Sequence, residues 1–109
     1  MLVETQGDIT ILAPRNSIDV STAPELEKVA LEHLTAGTNK LIIDFSQVDY
    51  ISSAGLRVVL IAAKKLRKST GTLVLSGLND VVQEVFEISG LTKILTIAAD
   101  INAAKAMME

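Results

Sequence analysis

Cysteine and tryptophan are absent from the 109 residues, and histidine occurs once. Without cysteine the chain can form neither a disulfide framework nor a thiolate metal site, which removes the small secreted scaffolds that depend on them. No apolar run approaches the roughly 18 residues that a membrane helix requires. The first residues carry Glu4 and Asp8 where a secretory leader would be basic. The expectation is a cytoplasmic chain with no membrane insertion. The phosphate-cradling patterns G-x-x-x-x-G-K-[ST] and G-x-G-x-x-G are both missing. Clustered cations are scarce as well: the formal net charge is -3, so direct binding to a nucleic-acid backbone is not expected. The one basic run is Lys64, Lys65, Arg67 and Lys68, which reads as the solvated flank of an amphipathic helix.

What is present is a core. Apolar residues make up 49% of the chain, enough at this length for one buried interior without metal or disulfide staples. One domain over residues 1–109 is expected. Apolar and polar residues alternate on either side of Gly7-Asp8, predicting a hairpin of strands near Leu2–Gln6 and Ile9–Ala13. Thr22, three residues before Glu25 and next to Ala23-Pro24, reads as the capping signal of a first helix. Leu26, Val29, Ala30 and Leu34 recur at helical spacing, and Gly37 is placed to end that helix in a left-handed cap.

Lys40–Asp44 is a short apolar run of the kind buried on both faces of a parallel sheet. After a loop, Ser53 to Lys68 predicts a second helix with Leu56, Val59, Leu60, Ala63 and Leu66 on its buried stripe. Thr72–Ser76 is a further buried strand, Asn79 or Asp80 caps a third helix ending at Ser89-Gly90, Ile94–Ile97 is a last strand, and Asp100 caps a final helix through Met108. The order predicts an α/β fold: a mixed, mostly parallel sheet of about five strands, opened by a hairpin and covered by about four helices.

Catalytic chemistry finds little to use. His33 lies inside the first helix with no nucleophile placed beside it in sequence. Asp44, Asp49, Asp80 and Asp100 lack the alternating spacing of a calcium loop, so neither a metal nor a cofactor is expected. Asp44 at a strand end is the one hint of an aspartyl-phosphate receiver. The acidic pair and the late lysine that such a receiver needs are both missing.

The segment from Asp44 to Leu56 is the least ordinary stretch, because it leaves a buried strand and enters a helix through Ser52-Ser53-Ala54-Gly55. Two serines at a helix start can be N-cap residues, accepting from first-turn amides, and nothing more. The same position also suits a phosphate, since first-turn amides point toward it and the helix dipole favours negative charge there by roughly 0.3–1 kcal/mol. A phosphoryl group adds nearly two negative charges, which the domain could tolerate while a partner docked on the bare helix end could not.

Four stretches together resemble the STAS domains typified by bacterial anti-sigma factor antagonists: Ile18-Asp19-Val20-Ser21-Thr22-Ala23, Leu41-Ile42-Ile43-Asp44-Phe45-Ser46, Val48 through Leu56, and, more weakly, Phe86-Glu87-Ile88-Ser89-Gly90-Leu91. The resemblance spans essentially the whole chain and aligns the family's phosphoacceptor serine with Ser53. Ser52 stands where the family more often has Asp and Ala54 where it often has Ser or Thr, which leaves Ser52 as the alternative acceptor. The resemblance implies that the unphosphorylated domain binds an anti-sigma factor that is also a serine kinase, releasing the sigma factor, and that a serine phosphatase resets the switch. It places Asp19, Ser52, Ser53, Gly55, Leu56 and Arg57 at the partner contact, with no enzymatic role for the chain. The alternative is a constitutive docking subunit or scaffold of a signalling or lipid-transport complex, in which Ser53 merely starts a helix.

Overall fold

The computed structural model describes residues 1–108; Glu109, the last residue of the expected domain, lies outside the described residues. The expected hairpin forms from β1 (Leu2–Gln6) and β2 (Ile9–Ala13), paired antiparallel with Gln6 opposite Ile9. Gly7 makes the turn with φ of +62°, a conformation that glycine adopts without a Cβ penalty. A short strand β3 (Asn16–Ile18) follows, then α1 (Ala23–Thr35), β4 (Lys40–Asp44), β5 (Val48–Ile51) and α2 (Ser53–Lys68). The chain closes with β6 (Thr72–Ser76), α3 (Asp80–Ile88), one 3-10 turn at Leu91–Lys93, β7 (Thr96–Ala98) and α4 (Ile101–Met108).

Five strands form one sheet in the order β1-β2-β4-β6-β7, with every pair parallel except β1 against β2. In β4, Leu41, Ile42 and Ile43 are all fully buried, because helices cover both faces. Leu41 and Ile43 join the larger core, which includes Leu12 and Leu75 of the sheet, Leu26 of α1, Val59 and Leu66 of α2, and Phe86 of α3. Ile42 joins Ile9, Ile11 and Val74 under Ala104 and Met108 of α4. The aliphatic run Lys40–Asp44 therefore has a separate physical use for each alternate side chain.

The structure departs from the sequence expectation in four places. Strands β3 and β5, not expected, pair parallel as a second, two-stranded sheet. A bulge shifts their register between Asn16 and Ser17, so that Asp49 and Tyr50 both face outward while Val48 and Ile51 are buried. The deep stripe of α2 is Gly55, Val58, Val59, Ala62 and Leu66, rotated by one position from the expected one; Leu56, Leu60 and Ala63 are half-buried at its margins. The last strand begins at Thr96 rather than Ile94, because the turn through Gly90, at φ of +79°, leads into the 3-10 turn and leaves Ile94 exposed. Finally, the Thr22 side chain does not cap α1. Its hydroxyl donates to the Ser17 carbonyl at 2.8 Å and accepts from the Asp19 amide at 2.9 Å, which shapes the loop before the helix instead.

Candidate functional site at the entrance of the second helix

Ile18 and Ile51 stand side by side at the ends of β3 and β5, and the Ser52 amide donates to the Ile18 carbonyl at 2.8 Å. That bond sets the β3–α1 loop beside the first turn of α2. The two-stranded sheet is held in turn by Asn79. Its side-chain amide donates to the Val48 carbonyl at 3.0 Å, while its oxygen caps α3 by accepting from Val82 at 2.8 Å. Beneath the helix start, Gly55 lies against the sheet so closely that an added Cβ would come within 2.6 Å of Ile51 Cγ1 and 2.7 Å of Ile18 Cγ2. Both neighbours are β-branched and stiff at χ1. Gly55→Ala gains about 1 kcal/mol of helix propensity and meets an overpacking cost of about 1–3 kcal/mol. A net loss of stability is expected in chemical denaturation, with disturbed amide resonances at Ser52 and Ser53.

The β3–α1 loop is organised by Asp19. Its Oδ1 accepts from the Ser21 hydroxyl at 2.7 Å, the Ser21 amide at 2.9 Å and the Thr22 amide at 3.1 Å. Those bonds, the Ser21 hydroxyl first, hold its carboxyl below the usual carboxylate range. Asp8 is lowered too, chiefly by the Lys40 ammonium 3.0 Å away. A carboxyl depressed in the folded state stabilises the fold above its unfolded pKa, and that contribution is lost as pH falls through the folded value. The melting temperature is therefore expected to fall on acidification below the usual carboxylate range, and Asp19→Asn to flatten part of that slope in melts followed by circular dichroism.

At the entrance of α2, Ser52 is the N-cap residue, but its side chain makes no capping bond. Its hydroxyl oxygen is shielded from solvent and has no hydrogen-bond partner. Ser53, the first helical residue, is exposed. The Leu56 amide reaches the Ser52 carbonyl at 3.0 Å, and the amides ahead of it have no acceptor within the helix. Among the four helices of the described residues, α2 alone has neither a capping side-chain bond nor an acid in its first turn: Asn79 caps α3, Asp100 accepts from Ala103 at 2.8 Å to cap α4, and α1 carries Glu25. Around this end the surface is open and partly apolar, with Val20 81% and Tyr50 46% exposed.

A family model described as the STAS domain matches residues 1–104. The chain belongs to the STAS domain family. Among its relatives, BtrV of Bordetella bronchiseptica, a provisionally assigned anti-sigma factor antagonist, is 44% identical over 89 residues, 82% of this chain and 77% of its own length. The anti-sigma-B factor antagonist of Listeria monocytogenes is 39% identical over 80 residues, 73% of this chain and 70% of its own. A crystal structure of a provisionally assigned anti-sigma factor antagonist from Thermotoga maritima superposes with a TM-score of 0.91 at 27% identity, covering 98% of this chain and 91% of the other. The architecture expected from sequence, a mostly parallel five-stranded sheet opened by a hairpin and covered by four helices, is the STAS fold observed.

In this STAS domain the residues singled out by sequence gather at one end of the two-stranded sheet, with differing access. Ser53 and Arg57 are exposed, Asp19, Ser52 and Leu56 are half-buried, and Gly55 is buried as a packing contact. Val20, Asp49 and Tyr50 belong to the same exposed rim. The bulge that turns Asp49 and Tyr50 outward depends on pairing with β3, which local alternation does not reveal. Away from the rim, Asp44 is nearly buried and gives both oxygens to Ser46, at 3.0 Å from its amide and 3.1 Å from its hydroxyl. His33 is half-buried in the last turn of α1, and Lys64, Lys65, Arg67 and Lys68 are exposed at the end of α2, where cations complement the helix dipole. None of the described helices is long and apolar enough to cross a membrane.

Proposed function

We propose that this STAS domain is an anti-sigma factor antagonist, a regulatory binding protein rather than an enzyme, acting in the cytoplasm. Its unphosphorylated rim, comprising Asp19, Ser52, Ser53, Leu56 and Arg57 around the entrance of α2, docks on an anti-sigma factor that is also a serine kinase. Docking frees the sigma factor. The kinase transfers the γ-phosphoryl group of ATP to Ser53 Oγ, ADP departs, and the hydroxyl proton is lost. The new dianion then drives the partners apart, and a serine phosphatase restores the docking form. The names of the relatives support the antagonist role.

One observation carries the choice of acceptor. The Ser53 side chain is exposed at a helix entrance that lacks any acid or capping bond, whereas the neighbouring Ser52 hydroxyl oxygen is shielded. Phosphoryl transfer needs an accessible oxygen in line with the donor, which favours Ser53 over Ser52. The test is incubation with ATP and each anti-sigma factor kinase of the source genome, followed by intact mass and fragment mapping. One phosphate on Ser53 is expected. A stable complex with no modification would support the constitutive docking subunit instead.

A further inference from the structure

The entrance of α2 is a collection of donors without acceptors. First-turn amides face outward uncapped, and the Ser52 hydroxyl beside them is shielded and unpartnered. Arg57, one turn along, is exposed, and among the described residues no carboxylate lies within ion-pair distance of it. Ser53 and Arg57 are related as i and i+4, neighbours on the helix surface. Long helical side chains lean back over the turn that precedes them, which carries the guanidinium toward Ser53. The pair also has the favoured polarity, with the anion N-terminal to the cation.

Resting on the reading of Ser53 as the acceptor, we infer that its phosphate is captured within the domain by Arg57, and that this capture withdraws Arg57 from an acidic contact on the partner. The switch then has two parts. A dianion is added to the surface, and the Arg57 cation is neutralised at the same time. Guanidinium suits this task because it can present two parallel donors to one phosphate. Asp19 follows β3 and Asp49 lies in β5, the two strands that end beside Ser52. Both oppose a dianion, so the contribution of Arg57 is read from the difference between variants rather than from the absolute value.

The experiment installs phosphoserine at position 53 by genetic encoding and follows the phosphate by phosphorus NMR across pH. The second ionisation of phosphoserine lies near pH ~6. Capture by a cation favours the dianion, so the intact domain is expected to titrate about half a pH unit or more below its Arg57→Gln variant, with the effect limited by solvent exposure. Arg57→Lys should keep part of the shift. Identical titrations for the intact protein and Arg57→Gln, with both folded by circular dichroism, would overturn the capture. Because the phosphate is installed rather than enzymatic, this result is independent of any kinase. Failure of every kinase to modify Ser53 would instead overturn the assignment of the acceptor.

Discussion

Phe86→Ala is expected to cost about 3–5 kcal/mol of stability. Phe86 is fully buried and meets Phe45 edge-to-face, with ring centroids 5.9 Å apart and planes at 79°. Such pairs add roughly 0.5–1.5 kcal/mol beyond their buried area, and these are the only two phenylalanines in the chain. Domains of this kind have about 5–15 kcal/mol in total, so the variant should be marginal. Its consequences extend to the rim, because α3 carries Asn79, which ties β5 in place. Urea denaturation of Phe86→Ala beside Ile88→Ala provides the control: Ile88 is 79% exposed and its truncation should shift stability by about 0.5 kcal/mol or less. Equal losses would show that the core is not organised around the Phe45–Phe86 contact.

The main sheet was legible because its signals are local. Gly7-Asp8 between alternating runs marks the hairpin, and the aliphatic runs at Lys40–Asp44 and Thr72–Ser76 give strands with those bounds. Helix α2 was also legible in extent, from Ser53 to Lys68. Its buried face was not, because Gly55 has no side chain to score as apolar and yet makes the closest approach to Ile18 and Ile51. Strands β3 and β5 escaped for a related reason: each is short, and what fixes them is a parallel pairing across more than one intervening element. The position of the candidate site was visible in Ser52-Ser53-Ala54-Gly55. The family resemblance pointed to Ser53, whereas the shielding of the Ser52 oxygen, a product of the fold, was not visible. Asp19 shows the same limit, because its carboxylate organises its own loop as well as standing at the rim.

Ser53→Asp should abolish binding to the cognate anti-sigma factor kinase while leaving the domain folded. The two effects have opposite signs. A carboxylate at the first position of α2 is favoured by the dipole by roughly 0.3–1 kcal/mol, and no other acid occupies that turn, so the melting temperature should hold or rise slightly. In the complex, the same charge would be desolvated without a partner group arranged for it, a cost of about 2–5 kcal/mol. The expected loss of affinity is at least ~100-fold, equivalent to about 2.8 kcal/mol. Ser53→Ala, which removes the acceptor without adding charge, should bind much as the unmodified protein does and resist phosphorylation. Unchanged affinity for Ser53→Asp would mean that Ser53 lies outside the contact.

Phosphate on Ser53 is expected to disarm a binding surface without altering the fold that carries it. The most direct test is a calorimetric titration of the cognate kinase with the domain bearing phosphoserine at position 53, beside the unmodified domain. The account predicts saturable binding for the unmodified protein and no measurable heat for the phosphorylated one at the same concentrations. Equal affinity for both forms would contradict it.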